Sequence, residues 1–445
     1  MWLVMLLPLL AVMNGLAIPI AGSSVHADQL AACLLVVPLG ASALAGGRRI
    51  RLDSTTWWLG AILAMNVAAT ALHSPARVYS LLQCASLASV WVIYVLLVNF
   101  LDTREAAAAF LRRLLWAAIA GSAIGIAAFV LASLGVDVGG AEVSQAAAER
   151  LTQAYGAYGV MVEPNIFGSF TGASLVLSIV LLAGLPRDGS ATSELRLAAW
   201  TAGVSAVGLV LSFTRAAWLG AVLGLICCLA ASGRAWMRIG RRRAIGTPLA
   251  IMGGLVVVLL LAPGTAASLF RFKLLNLINL QSQTAVLRLL TYSMALDQTA
   301  THPVVGWGTF TFAPLVAQGT DFQQFENWRN LWIGNFALLA LHDTGAIGLV
   351  LWCGRLWSVL ARGIRAAAAL RPIDAQLSLH TVALVGAVIS LLIPFLATTG
   401  FSLGYPWLLI GLLGAQARLA TTEAATPEAA PPEIPAGLAL PADAT

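Results

Sequence analysis

The sequence has little charge. Lys, Arg, Asp and Glu make up 10% of its 445 residues, whereas soluble domains carry about 25%. Hydrophobic residues make up 59% and are spread along the whole chain. This composition excludes an ordinary soluble domain and predicts an all-α polytopic membrane protein. The net charge of +6 is then a topology signal rather than a sign of nucleic-acid binding.

Cysteine is also scarce, and all five cysteines lie within apolar runs. Their spacing resembles no zinc site, so we interpret them as small core residues rather than metal ligands or disulfide partners. No metal and no cofactor is expected. The N-terminus is apolar from Trp2 and lacks a basic segment, which favours a first spanning helix over a cleaved signal peptide.

Runs of about 20 mostly apolar residues mark candidate spanning helices. About twelve such runs occur, at residues 2–20, 29–46, 57–72, 79–100, 113–135, 166–185, 197–213, 216–231, 247–263, 331–353, 378–396 and 402–418. We expect a transmembrane domain over residues 1–420. The remaining residues, 421–445, are rich in Ala, Pro and acidic side chains and predict a disordered cytoplasmic tail.

Most arginines lie in the loops that follow even-numbered candidates. The positive-inside rule therefore predicts that these loops and both termini are cytoplasmic, with the protein in the bacterial inner membrane. The main external segment is the periplasmic loop 264–330, between the ninth and tenth helices. Within it, "SQTAVLRLLTYSMALDQTATHP" predicts an amphipathic helix. Its expected apolar stripe consists of Val286, Leu289, Leu290 and Met294.

The run "LVLSFTRAAWLGAVLG" carries Arg215 in its middle, where a charge is costly in a membrane. Other polar groups collect on the same predicted outer face: Glu163, Asn165, Arg288, His302, Asp321, Glu326, Arg329 and Asn335. Clustering on one face indicates a site for a lipid-borne substrate rather than a solute pathway. Arginines favour a phosphate-like anion. The alternatives are that Arg215 snorkels to lipid headgroups and that Arg288 is an exposed surface residue.

Three segments in order resemble the O-antigen ligase and O-antigen polymerase superfamily. They are "LSFTRAAWLG", "LRLLTYSMALDQTATHPVVGWGTF" and "GNFALLALHDTGAIGL". The resemblance implies a GT-C-like, metal-independent, inverting membrane glycosyltransferase. Its donor would be an undecaprenyl-pyrophosphate-linked glycan, and its acceptor would be lipid A–core or another lipid-linked glycan.

By this resemblance, Arg215 and Arg288 correspond to the arginines that hold the pyrophosphate and stabilise its charge as it leaves. Asn165, Asn335, Arg329, Asp321 and Glu326 are candidate substrate-binding residues.

The chain departs from the ligase pattern at one position. Asn335, Gly345 and Gly348 fall on the family motif, but Gly334 stands where ligases carry the histidine proposed as general base. His342 is a candidate catalytic replacement. However, a continuous helix from Leu331 would carry it about 10 Å deeper than Asn335, which favours a structural role. Glu163, Asp321 and Glu326 are the other candidate bases.

Ligase and polymerase activities both remain open, and the missing histidine slightly favours polymerisation. A transporter or flippase of lipid-linked glycans is the alternative of a different class. It predicts intramembrane charges and symmetric halves. Charge within the spans is scarce, with Asp343 the main example, and the two halves do not resemble each other. A catalytically inactive scaffold is a further alternative.

Overall fold

The computed structural model describes residues 4–20, 23–46, 50–136, 138–142, 156–186, 191–232, 283–318 and 332–425, and isolated positions between 246 and 271. Its α-helices, in chain order, are α1 (Leu7–Val12), α2 (Ala27–Ala45), α3 (Ser54–His73), α4 (Arg77–Phe100), α5 (Arg104–Ser133), α6 (Pro164–Gly184), α7 (Thr192–Leu211), α8 (Arg215–Ser232), α9 (Gln283–Thr301), α10 (Phe312–Gln318), α11 (Phe336–Leu370), α12 (Ala375–Phe395) and α13 (Gly404–Ala425). Two short antiparallel pairs join β1 (Ala17–Ile20) to β2 (Ser23–His26) and β3 (Ala141–Glu142) to β4 (Gly156–Ala157).

Within the described residues, eight helices are long and apolar enough to cross a membrane, from α2 to α7 together with α11 and α12. The all-helical polytopic architecture is thus confirmed at this level. The candidate span 247–263 is described only at scattered positions, which are helical, so its bounds as a helix lie outside the described residues. Residues 426–445 of the predicted tail also lie outside them, and α13 extends to Ala425.

The prediction of a first spanning helix over residues 2–20 is wrong. The helix ends at Val12, and Ala17–Ile20 forms a strand instead. The buried Asn14 ends the helix, because its amide donates to the carbonyl of Ala11 (3.3 Å) and accepts from the backbone of Val162 (3.1 Å). The apolar run continues past this turn, so composition alone gives no sign of it.

The core is built around α6, which is buried from Ile166 to Ala183 and packs against α7, α8 and α12. Small residues allow the closest of these approaches. A Cβ at Gly220 would lie 2.2 Å from the carbonyl oxygen of Ser390, so α8 can meet α12 here only through glycine. Cys84 and Cys228 are buried as expected, whereas Cys33 and Cys353 are exposed.

One end of the bundle carries several helix caps and ion pairs. Asp53, Thr103 and Asp374 each cap a helix through a side-chain oxygen that accepts a backbone N–H. Arg104 also pairs with Asp374 at 2.8 Å, and Arg362 pairs with Asp53. We call this the inner end, since the arginine pattern predicts that it is cytoplasmic.

The predicted span 331–353 is not one straight helix. Gly345 interrupts α11 with non-helical backbone angles (φ 65°, ψ −167°). In a straight helix, Phe336 and Trp352 would be about 24 Å apart along the axis. Their ring centroids are 4.7 Å apart, so the chain bends sharply at Gly345. The membrane-crossing part is therefore the longer arm, residues 346–370, and the shorter arm, residues 336–344, packs back beside it.

Candidate active site

Arg215 is the first residue of α8, immediately after the tight turn that joins α7 to α8. Phe213 in this turn has a left-handed backbone (φ 52°), and it is buried edge-on against Phe129 at 5.6 Å. The hydroxyl of Thr214 donates to the carbonyl of Pro164 at 3.0 Å. These contacts fix the half-buried Arg215 beside the N-terminus of α6.

Arg288 lies on the inward face of α9. The predicted helix is confirmed. Of its apolar stripe, Val286, Leu289 and Leu290 are exposed, whereas Met294 is partly buried. The residues of α9 that are buried are Thr291, Ala295 and Thr299. The guanidinium of Arg288 donates to the carbonyl of Ala397 at 3.2 Å. The alternative of a freely exposed surface arginine is therefore disfavoured.

The two arginines are close enough for the charge of Arg288 to act on Arg215. Both belong to one polar cluster with Glu163, the N-cap residue of α6. The Glu163 carboxylate accepts a hydrogen bond from the hydroxyl of Thr398 at 2.6 Å. Burial raises the pKa of Glu163, although Thr398, Arg288 and Asn165 oppose the shift. Asn165 also accepts a long hydrogen bond from Thr214, at 3.5 Å.

Asn335 borders the same cluster as the N-cap of α11, where its side chain accepts the N–H of Leu338 at 3.1 Å. The hydroxyl of Tyr292 donates to the carbonyl of Gly334 at 2.9 Å. Gly334 is the position at which ligases carry histidine. Among the described residues, the nearest atom to a Cβ placed there would be the carbonyl oxygen of Ala397, at 3.7 Å. This position therefore lies beside the carbonyl to which Arg288 donates, and the described residues leave space there for a Cβ.

Three helix N-termini meet at this cluster, those of α6, α8 and α11. Each N-terminus carries a partial positive charge from the aligned peptide dipoles of its helix. Together with the two guanidinium groups they create a region suited to a polyanion. Chemically, the arrangement can bind a phosphate-like group, and it places the carboxylate of Glu163 near that group.

His342 does not join this cluster. It is fully buried, with Nδ1 at 2.9 Å from Asp343 and Nε2 at 2.9 Å from the side-chain oxygen of Gln298. The depth expected for His342 assumed one continuous helix. The bend at Gly345 brings Phe336 beside Trp352, so the shorter arm runs from Asn335 back towards the end of the bundle opposite the inner end. His342 is thus nearer the bend, where the segment 302–308 packs onto α11 and against His73 at the end of α3.

The bend explains why the "HPVVGWG" and "HDTGAIG" segments occur together. The carbonyls of His342 and Asp343 lose their helical partners at Gly345 and accept the N–H groups of Trp307 (3.0 Å) and Gly308 (2.8 Å). In return, the N–H of Ala346 donates to the carbonyl of Pro303 at 2.9 Å. The two motifs are the two halves of one backbone junction.

Asp321, Glu326 and Arg329 lie outside the described residues. Of the remaining predicted site residues, the structure brings together Arg215, Arg288, Asn165 and Asn335 but not His342. Sequence reasoning missed Tyr292 and Thr398. Tyr292 lies one helical turn after Arg288, and this spacing could have indicated that the two side chains share a face. Nothing in the sequence around Thr398 indicated that it contacts the site.

Among the residues that the structure describes, no group of three or more His, Cys, Asp or Glu side chains could hold a metal ion.

Residues 200–353 match a family model described as O-antigen ligase. The resemblance to the O-antigen ligase and polymerase superfamily is confirmed. The matched segment contains Arg215, Arg288, Asn335 and His342, whereas Glu163 and Asn165 lie before it. No curated protein sequence matches the chain. The family match and the apolar helices together support a multi-pass protein of the bacterial inner membrane that transfers glycans in the manner of O-antigen ligases and polymerases. The general substrates of that family are lipid-linked glycans and lipid A–core.

Proposed function

We propose that this O-antigen ligase-like protein is an inverting, metal-independent glycosyltransferase of the GT-C type. It takes a glycan from an undecaprenyl-pyrophosphate carrier at the periplasmic face and passes it to lipid A–core or to another lipid-linked glycan. The observation that carries this proposal is the meeting of Arg215 and Arg288 at three helix N-termini, from segments far apart in the chain. Such a concentration of positive charge suits a pyrophosphate better than it suits a neutral solute.

In this mechanism Arg215 and Arg288 bind the pyrophosphate. A hydroxyl oxygen of the acceptor attacks the anomeric carbon of the donor sugar, and its proton passes to the carboxylate of Glu163. The bond between the anomeric carbon and the pyrophosphate oxygen breaks, and its electron pair leaves with the pyrophosphate. The arginines and helix N-termini stabilise the charge that develops on that oxygen. Asn165 and Asn335 orient the sugars.

Glu163 takes the role of the absent histidine for three reasons. It is next to Arg288, it is held by Thr398, and burial raises its pKa towards the range useful to a general base. His342 has both ring nitrogens engaged by Asp343 and Gln298. We assign it a positioning role, which is to hold the shorter arm of α11 against α9.

The arginine roles are tested with purified protein, an undecaprenyl-pyrophosphate glycan donor, and separate acceptors of each class. Arg215→Gln and Arg288→Gln should each reduce transfer by about 10²–10³-fold, because each removes charge stabilisation from the transition state. Arg365→Gln is the matched control, since Arg365 is exposed at the inner end. Transfer to lipid A–core would indicate a ligase, and elongation of a lipid-linked glycan a polymerase. Full activity in either site variant would contradict the proposal.

The role of Glu163 is tested by pH. Its ionised form is the base, so the rate should rise with pH and its midpoint should lie above 4.5, the ordinary pKa of glutamate. Glu163→Gln should reduce the rate by about 10²–10⁴-fold and remove this midpoint. The control is Glu105→Gln, which changes an exposed glutamate at the start of α5. An unchanged pH profile in Glu163→Gln would exclude Glu163 as the base while leaving the arginine roles intact.

A further inference from the structure

A large cavity of about 970 Å³ lies at the inner end of the bundle, away from the arginine site. Its walls come from α2, from the second half of α4, from α13 and from the residues just before α3. This volume is at the upper end of the range of about 300–1,000 Å³ found for ligand pockets. Nothing in the glycosyl-transfer mechanism uses it.

The walls of the cavity are mainly apolar. Val36 and Ala43 of α2 face Trp91, Val92 and further residues of α4. The part of α4 that lines the cavity runs from Trp91 to Phe100, a length of about 14 Å. One leaflet of the hydrocarbon core is about 15 Å thick. The apolar wall is therefore as long as the half-membrane that a lipid chain occupies.

The mouth of the cavity is cationic. Arg51 and Arg418 both line it and repel each other, and Asp102 offsets only part of their charge. The backbone of Arg51 is fixed, because its N–H donates to the side-chain oxygen of Asn99 (2.8 Å) and its carbonyl accepts from the Asn99 amide (3.0 Å). Arg418 is anchored through the carbonyl of Leu101 at 3.2 Å.

We propose that this cavity binds an anionic phospholipid of the cytoplasmic leaflet, with the headgroup phosphate on Arg51 and Arg418 and an acyl chain along α4. The positive charge of Arg51 and Arg418 favours an anionic lipid over a zwitterionic one. Two guanidinium groups suit a phosphate diester, and the remaining positive charge disfavours a zwitterionic lipid whose headgroup also carries a cation. The arginine pattern predicts that this end faces the cytoplasm, where anionic lipids collect basic segments.

The test is native mass spectrometry of the purified full chain with phosphatidylglycerol or with phosphatidylcholine of the same acyl chains. The wild type should retain phosphatidylglycerol. The double variant Arg51→Gln/Arg418→Gln should bind it about 30-fold more weakly, which corresponds to about 1 kcal/mol for each lost charge. The matched control is Arg365→Gln/Arg371→Gln, which removes two exposed inner-end arginines outside the cavity lining and should bind like the wild type. Val92→Trp, which fills the apolar wall, should also weaken binding.

Equal retention of the two lipids, or undiminished phosphatidylglycerol binding in the double variant, would overturn the proposal. Displacement of the lipid by millimolar inorganic phosphate would identify a free-anion site and would equally overturn it. These measurements need no glycan substrate, so their outcome does not depend on the proposed transferase activity.

Discussion

Replacing Gly345 by alanine should release the segment 302–308 from α11. Two effects add. At the backbone angles of Gly345 (φ 65°, ψ −167°), which essentially only glycine adopts, an L-residue costs at least about 1 kcal/mol. In addition, the new Cβ would lie 2.2 Å from the carbonyl oxygen of Val304, so the junction must move apart. Each hydrogen bond lost there is worth about 0.5–1.5 kcal/mol, and loss of two brings the total to about 3 kcal/mol.

The native Cys84 reports on this release. It is buried, and its Sγ lies 3.2 Å from the hydroxyl of Thr309, which follows the docked segment. With the other four cysteines replaced by alanine, the labelling of Cys84 by a maleimide measures how often the segment opens. A cost of about 3 kcal/mol should speed labelling roughly 100-fold, at 1.4 kcal/mol per factor of ten.

The matched control is Gly60→Ala in α3, the helix against which the segment also packs. A Cβ at Gly60 meets no atom of the described residues within 4 Å, and alanine is the better helix former, so labelling of Cys84 should not change. The reasoning fails if Gly345→Ala labels no faster than the parent. It also fails if both glycine variants label equally fast.

Two other substitutions test the structure. Gly334→His should fold with an unchanged melting temperature, because the nearest described atom to its Cβ is 3.7 Å away. It should also restore part of the transfer activity to Glu163→Gln. Loss of folding would contradict the geometry. Asp53→Asn should lower the melting temperature at pH 7. Burial alone would raise the pKa of Asp53, but Arg362, Tyr94 and Thr56 outweigh it and hold the pKa below 3.8. This stabilisation is present above that pH and is lost as the pH falls through the lowered pKa. The difference in melting temperature between Asp53→Asn and the wild type should therefore vanish in acid. A difference that does not depend on pH would contradict this explanation.

The membrane helices were predictable wherever an apolar run coincides with a whole helix, as in α3, α4 and α6. The prediction failed at residues 2–20 and 331–353, and for one shared reason. Hydropathy measures transfer into an apolar environment, and it does not register where the backbone turns. A helix stops inside an apolar run at both Asn14 and Gly345, and at each place the chain bonds to a segment distant in sequence, Val162 in the first case and residues 303–308 in the second.

The candidate site also has one residue that the sequence singled out, Arg215, and one that only the structure distinguishes, Glu163. Arg215 stood out because a charge in an apolar run is costly, and that cost is visible in one dimension. Glu163 appeared only as one of several candidate bases, since an acidic residue in an external segment is ordinary. Its distinction comes from Thr398, which lies far along the chain and closes over its carboxylate. Arg215 could be found in the sequence because the energetic cost of its charge is visible in the apolar run around it. The proposed role of Glu163 depends on neighbours that are distant in sequence, so it could be found only from the folded structure.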